Sequence, residues 1–275
     1  MLTDTPRWVP SADQKDLKRT LVVIPTFKNN DLTWAVINDC LREPVRILVV
    51  DNSGDYQAIA NERIICPNQN LGWLRSNNLA VKSAILDRFW DRVVLLNNDL
   101  RLAVSFFSGI LWAERHSGAS IVGASYDFLW PIHRPEQLTE GQQLEAHEYV
   151  PEPRNIPTGA CDGTAMSIRC DALQRIGVFD EERFGKYGWG ASVDLCFRAR
   201  TLGLKIVITR AAYVHHIGGG HQTAKGVIGN RYVELARAEA HSGLSEKWGP
   251  HWMKLKCLPT QADVDAWPHA SSQNA

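Results

Sequence analysis

Three short apolar runs, each stopping at an abrupt polar break, constrain this chain more than any other feature. Leu21-Val22-Val23-Ile24 gives way to Pro25-Thr26-Phe27, Ile47-Leu48-Val49-Val50 to Asp51-Asn52-Ser53-Gly54, and Val93-Val94-Leu95-Leu96 to Asn97-Asn98-Asp99. Between them, Leu32 to Leu41 and Asn78 to Trp90 carry apolar residues at helical spacing, the second with Leu79, Val81, Ile85, Leu86 and Phe89. Strands alternating with helices predict an α/β fold whose sheet is mostly parallel and covered by helices on both faces. Such a sheet brings Thr26, Asp51 and Asp99 to one edge, where open α/β sheets bind ligands. A carboxylate there suits a hard divalent cation carrying phosphates, although an ordinary turn also favours Asn-Asn-Asp.

Composition narrows the classes. With 275 residues and 44% hydrophobic content the chain buries a sizeable core, as one large domain or two halves sharing a cleft. Lys plus Arg equals Asp plus Glu at 30 each, so no net field draws it to nucleic acid, and a phosphate ligand must be held by local groups or a metal. Cys40, Cys66, Cys161, Cys170, Cys196 and Cys257 are scattered without a CxxC pair, which argues against structural zinc and fits reduced thiols. Met1 to Thr20 has no apolar leader, and no run reaches the length of a membrane span. A cytoplasmic protein is expected, with peripheral membrane contact left open.

The texture changes after Ser125. Tyr126 to Pro157 is proline-rich and weakly periodic, and reads as a long irregular segment, either a lid or a packed surface connection. Cys161 to Arg169 and Lys205 to Thr209 read as strands, and Val193 to Leu202 and Tyr232 to Ala240 as helices. Trp248 and Trp252 are expected to pack back onto the body, and Leu258 to Ala275 to form a tail.

Taken in order, these motifs resemble the inverting family 2 glycosyltransferases of the GT-A fold, especially the rhamnosyltransferase-like branch, from about Leu21 to His221. The matching segments are Val22 to Phe27, Val49 to Ser53, Asn70-Leu71-Gly72-Trp73 through Asn78, Asn97-Asn98-Asp99, Gly177 to Glu181 with Tyr187-Gly188 and Asp194 to Arg198, and Ala212-Tyr213-Val214-His215-His216. The resemblance implies a Rossmann-like sheet and transfer of a sugar from a nucleotide-diphosphate sugar to an acceptor hydroxyl, with inversion. It implies Mg²⁺ or Mn²⁺ on Asp99 and His216, and Pro25, Thr26, Phe27, Asp51, Asn70, Arg75, Asn78, Asn97 and Asn98 around the nucleotide. The acceptor would be a glycan or lipid-linked glycan, the setting polysaccharide biosynthesis. The organisation expected is an extension over 1–18, a nucleotide-sugar-binding half over 19–123, an acceptor-binding and catalytic half over 124–221, a helical segment over 222–257 and a flexible tail over 258–275.

Each residue also has a plainer reading. Asp51 meets a ribose or base, or caps a turn through Ser53 and Gly54. Arg75 forks a phosphate, or is a solvated charge in the first turn of a helix. Asn70 and Asn78 bond the nucleotide or the backbone. Alternation with Ala212 and Val214 sets His216 on one strand face, as a ligand or a satisfied core histidine; His215 and His221 are weaker candidates, and Gly218-Gly219-Gly220 suggests a mobile turn. Trp189 and Gly190 form an acceptor wall or part of the core. One departure from the family matters: the acidic pair that usually supplies the general base aligns with Ala191 and Ser192. Asp194 is then the carboxylate nominated as base, against a simple pairing with Arg198 at i+4. A non-catalytic nucleotide-sugar-binding protein is the main alternative. A sugar nucleotidyltransferase is disfavoured because Pro25 to Asn29 lacks a Gly-rich, basic loop.

Overall fold

The computed structural model describes residues 8–126, 144–217, 226, 229 and 231–257. Its strands are β1 (Thr20–Thr26), β2 (Arg46–Asp51), β3 (Arg63–Ile65), β4 (Arg92–Leu96), β5 (Leu100–Leu102), β6 (Ile121–Tyr126), β7 (Asn155–Pro157), β8 (Ala165–Arg169) and β9 (Ile206–His216). The helices are α1 (Gln14–Lys18), α2 (Asn30–Cys40), α3 (Gly72–Asp87), α4 (Phe106–Ser117), α5 (Cys170–Ile176), α6 (Glu181–Phe184), α7 (Ala191–Thr201), α8 (Tyr232–Trp248) and α9 (Trp252–Cys257).

Successive side chains of a strand point to opposite faces, and here both faces are buried. Leu21, Val23, Leu48, Val50, Val93 and Leu95 pack in one core with α3, α5, α7, α8 and α9. Their neighbours Val22, Ile24, Ile47, Val49, Val94 and Leu96 pack in a second core with α1, α2 and α4. This explains why the runs are continuously apolar rather than alternating.

The strand order is β3-β2-β1-β4-β8-β6-β9-β5, with β7 on β9, so one sheet spans both halves of the chain. The first four strands are parallel. Beyond β4 the sheet is mixed: β8 runs antiparallel to both β4 and β6, β6 runs parallel to β9, and β5 and β7 run antiparallel to β9. The uninterrupted parallel part of the sheet is therefore β1 to β4, with β6 and β9 a further parallel pair in the second half.

Three element boundaries differ from the sequence reading. Helix α3 starts at Gly72, not Asn78, after a turn in which the Asn70 carboxamide oxygen accepts the Gly72 N–H at 2.8 Å. Residues 161–164 form a loop before β8, not strand, because Asp162 folds back onto the Thr164 N–H at 2.9 Å. Lys205 to Thr209 and the histidine-bearing strand are one element, β9, interrupted only by a register shift opposite Ala124 and Ser125. Trp248 and Trp252 do pack on the core. The expected lid largely coincides with residues 127–143, outside the described residues, as do Gly218 to His221, the tail over 258–275 and the first part of the N-terminal extension.

Candidate active site

A cavity of about 480 Å³ opens at the carboxyl ends of β1 and β4. Pro25, Thr26, Phe27, Asn97, Asn98 and Asp99 form its floor; the 161–164 and 185–190 loops and helices α8 and α9 form its walls. The floor is tied together by its own hydrogen bonds. Asn97 donates its backbone N–H to the Thr164 carbonyl at 3.0 Å and accepts the Trp73 indole N–H at 2.8 Å. The Asn98 carboxamide donates to Thr33 Oγ1 at 3.2 Å, and the Thr26 and Thr33 hydroxyls share a 2.7 Å bond.

Asp99 is held differently. Strand β5 starts one residue later and pairs antiparallel with β9, placing Leu100 opposite His216; the Asp99 carbonyl accepts the Ile217 N–H at 3.0 Å. This register sets His216 Nε2 3.1 Å from Asp99 Oδ1, both side chains buried and both on the cavity wall. Among the described residues no three His, Cys, Asp or Glu side chains gather as a metal cage. The pair does fit an ion that keeps its other positions for phosphate oxygens and water, as Mg²⁺ sites do. An imidazole beside a carboxylate suits Mn²⁺ better than Mg²⁺.

Four of the residues expected at the site lie elsewhere. Asp51 is buried with both oxygens engaged: Oδ1 accepts the N–H groups of Ser53 and Gly54 at 2.9 Å and the Ser53 hydroxyl at 3.0 Å, and Oδ2 accepts the Tyr56 N–H at 3.0 Å. It closes its own turn, and the next residue, Asn52, lines the cavity instead. Asn78 is fully buried; its carboxamide accepts the Phe179 N–H at 2.8 Å and donates to the Phe179 carbonyl and Glu181, pinning α3 to the segment before α6. Arg75 is half-exposed and lies 3.9 Å from Glu181, off the cavity wall. Asp194 has no solvent exposure: Oδ2 accepts from Arg198 at 2.9 Å, and Oδ1 from Lys247 and the Trp248 indole, both at 2.9 Å. This carboxylate links α7 to α8 and lies off the cavity lining, away from the place that the base role expected of it requires.

Asn70, Trp189 and Gly190 do line the cavity. The Trp189 indole donates to the Tyr232 hydroxyl at 3.0 Å, and the two rings meet edge to face. Burial raises the Tyr232 pKa; the Trp189 bond lowers it, and the Asp99 charge raises it further, so this phenol stays protonated. Several wall residues escaped the sequence reading: Asn52, Trp73, Asp162, Lys186, Arg237 and Lys256. Asn52 and Trp73 sit inside quoted motifs and were findable. Arg237 and Lys256 arrive from the distant C-terminal helices, with no local signal. Together with Lys186 they are the cationic residues among those that line the cavity.

No family model matches the chain. Among solved structures, GalNAc-T7, crystallised with UDP, GalNAc and Mn²⁺, superposes with a TM-score of 0.56 at 12% identity, covering 80% of this chain and 48% of that protein. The S. aureus protein TarS (residues 1–349), in complex with UDP-GlcNAc, gives 0.51 at 14% identity over 80% of this chain and 66% of that one. This chain thus spans about half the length of GalNAc-T7. These neighbours are GT-A glycosyltransferases, and the likeness establishes the GT-A fold here. In sequence, Mb1552 of Mycobacterium bovis and Rv1525 of Mycobacterium tuberculosis, both described as uncharacterized proteins, are each 33% identical over 230 residues, covering 83% of this chain and 85% of the relative. The chain is a GT-A-fold protein and belongs to the same family as these mycobacterial proteins.

Proposed function

We propose that this protein is a metal-assisted glycosyltransferase, moving a sugar from a nucleotide-diphosphate sugar to an acceptor hydroxyl with inversion, in the manner of family 2. The observation that carries the reading is the Asp99–His216 pair, 3.1 Å apart on a cavity at the carboxyl end of a parallel strand. The fold neighbours solved with UDP and Mn²⁺ or with UDP-GlcNAc support it.

In this reading Pro25 to Phe27, Asn52 and Asn70 border the nucleotide, and Asn97 and Asn98 keep the floor rigid. Asp99 and His216 would hold Mn²⁺ or Mg²⁺, and the bound cation would supply charge neutralisation for the departing diphosphate. Lys186, Arg237 and Lys256 add positive charge along the same wall. Trp189 and Tyr232 offer an aromatic face for the acceptor, a glycan or lipid-linked glycan, placed for in-line attack on the anomeric carbon. UDP-, dTDP- and GDP-sugars, dTDP-rhamnose included, are all within this donor class. No helix among the described residues is long and apolar enough to cross a membrane, and we place the enzyme in the cytoplasm, in polysaccharide biosynthesis, with contact to a membrane surface through its acceptor. The non-catalytic alternative draws on Ala191 and Ser192 and on the enclosure of Asp194.

The test is a thermal-shift screen of UDP-, dTDP- and GDP-sugars with and without Mn²⁺. A donor at a hundred times its Kd stabilises the fold by about 2.7 kcal/mol, a rise of about 5 °C or more for a chain of this size. At least one donor should give that rise only with Mn²⁺. Silence from every donor would contradict the reading; binding without sugar transfer or donor hydrolysis would favour the non-catalytic alternative.

A further inference from the structure

Transfer to a hydroxyl needs a group that takes its proton. Among the described residues two carboxylate side chains line the cavity, Asp99 and Asp162. Asp99 faces His216 on the diphosphate side, and Asp194 is sealed inside the protein. Asp162 lines the same cavity from the loop that enters β8, where the Thr164 carbonyl accepts the Asn97 N–H. Its position is tightly set: Oδ1 accepts both the N–H and the hydroxyl of Thr164. Gly163 beside it is pressed between two neighbours, since a Cβ there would come within 2.7 Å of the Trp73 ring and 3.4 Å of the Ser192 Cβ. The loop therefore abuts the first turn of α7, and Ser192, Val193, Trp189 and Gly190 share the same cavity wall.

Resting on the glycosyl-transfer reading above, we propose that Asp162 is the general base of the reaction. Its carboxylate takes the proton of the acceptor hydroxyl as that oxygen bonds to the anomeric carbon. The bond from the anomeric carbon to the diphosphate oxygen breaks in the same step, and its electron pair leaves with the nucleoside diphosphate. The proton then passes from Asp162 to solvent, so no oxidant, reductant or further reactant is involved. Thr164 is the positioning residue, since its two bonds aim the carboxylate.

Asp162→Asn tests this, because the carboxamide oxygen can still accept both Thr164 bonds while the carboxylate that takes the proton is gone. The full chain is assayed with Mn²⁺ and UDP-GlcNAc, UDP-GalNAc or dTDP-rhamnose, reading nucleoside diphosphate release with water and with a panel of glycan acceptors. D162N should release nucleoside diphosphate about 10²–10⁴-fold more slowly than the wild type. Its donor-induced thermal shift should be unchanged, and the acidic limb of its pH–rate profile should vanish. Thr164→Val, which removes one positioning bond and leaves the carboxylate, should lose less than tenfold and keep that limb. Equal rates for D162N and the wild type would overturn this proposal alone, as would a T164V loss matching that of D162N with the acidic limb kept in both. A wild type that neither binds nor cleaves any of these donors would overturn the glycosyl-transfer reading, and this proposal with it.

Discussion

Asp51 is the last residue of β2, directly after an apolar run, whereas Asp99 lies three residues beyond the end of β4, after Asn97 and Asn98. Asp51 is followed by Asn52-Ser53-Gly54, whose backbone turns back at once and presents N–H groups two and three residues on; the carboxylate takes them and closes the turn. Asp99 is followed by β5, which pairs with β9 and whose Leu102 N–H donates to Asp39, and the Asp99 side chain meets His216. A carboxylate at a strand end is available to a ligand only where the next few backbone groups already have partners. The contrast extends to Asp194, nominated as base because Ala191 and Ser192 occupy the usual acidic positions; its oxygens are engaged by Arg198, Lys247 and Trp248.

If that division is right, the structural carboxylates should cost stability and not chemistry. The largest effect is expected for Asp194→Ala, which removes the buried acceptor shared by Arg198, Lys247 and the Trp248 indole. Urea unfolding should show a loss of about 3–5 kcal/mol, with donor release per folded molecule unchanged; intact stability with lost activity would return Asp194 to the site. Asp51→Ala should cost less, about 2–3 kcal/mol, and its pH dependence sharpens the contrast. Burial pushes the Asp51 carboxyl up, but the N–H groups of Tyr56, Ser53 and Gly54 and the Ser53 hydroxyl outweigh it and hold the pKa below the ordinary aspartate value. Folding therefore gains from the ionised form. That gain is fully present above the unfolded pKa of about 3.9 and fades as pH falls through the lower folded value. Asp51→Asn should flatten the acid side of the stability profile; an unaltered profile would break the comparison. The smallest effect belongs to Arg75→Ala. Its exposed pairing with Glu181 contributes less than about 1 kcal/mol, and titration calorimetry should find donor affinity within twofold of wild type. A tenfold loss would restore Arg75 as a phosphate ligand.

Much of the architecture was legible because burial on both faces leaves a plain sequence trace. Leu21 to Ile24, Ile47 to Val50 and Val93 to Leu96 became β1, β2 and β4, and the order of motifs pointed to the GT-A fold. What stayed hidden depended on contacts between distant segments. Asn77 and Asn78 interrupt the apolar pattern of α3, so its first turns could not be read from periodicity, and the Asn78 bond to Phe179 explains why a buried amide is tolerated there. Pairing of β5 with β9 brings residues 99 and 216 together, which spacing alone does not specify. Lys256 and Arg237 reach the cavity from helices that the apolar pattern marks only weakly.

The central claim is that Asp99, just beyond β4, binds a divalent cation together with the donor diphosphate. Electron paramagnetic resonance of Mn²⁺ titrated into the protein with UDP tests it directly. The wild type should bind about one Mn²⁺ per chain when UDP is present, and Asp99→Ala should lose that signal while its thermal unfolding stays within a few degrees of wild type. Equal Mn²⁺ uptake by the two proteins in the presence of UDP would contradict the claim.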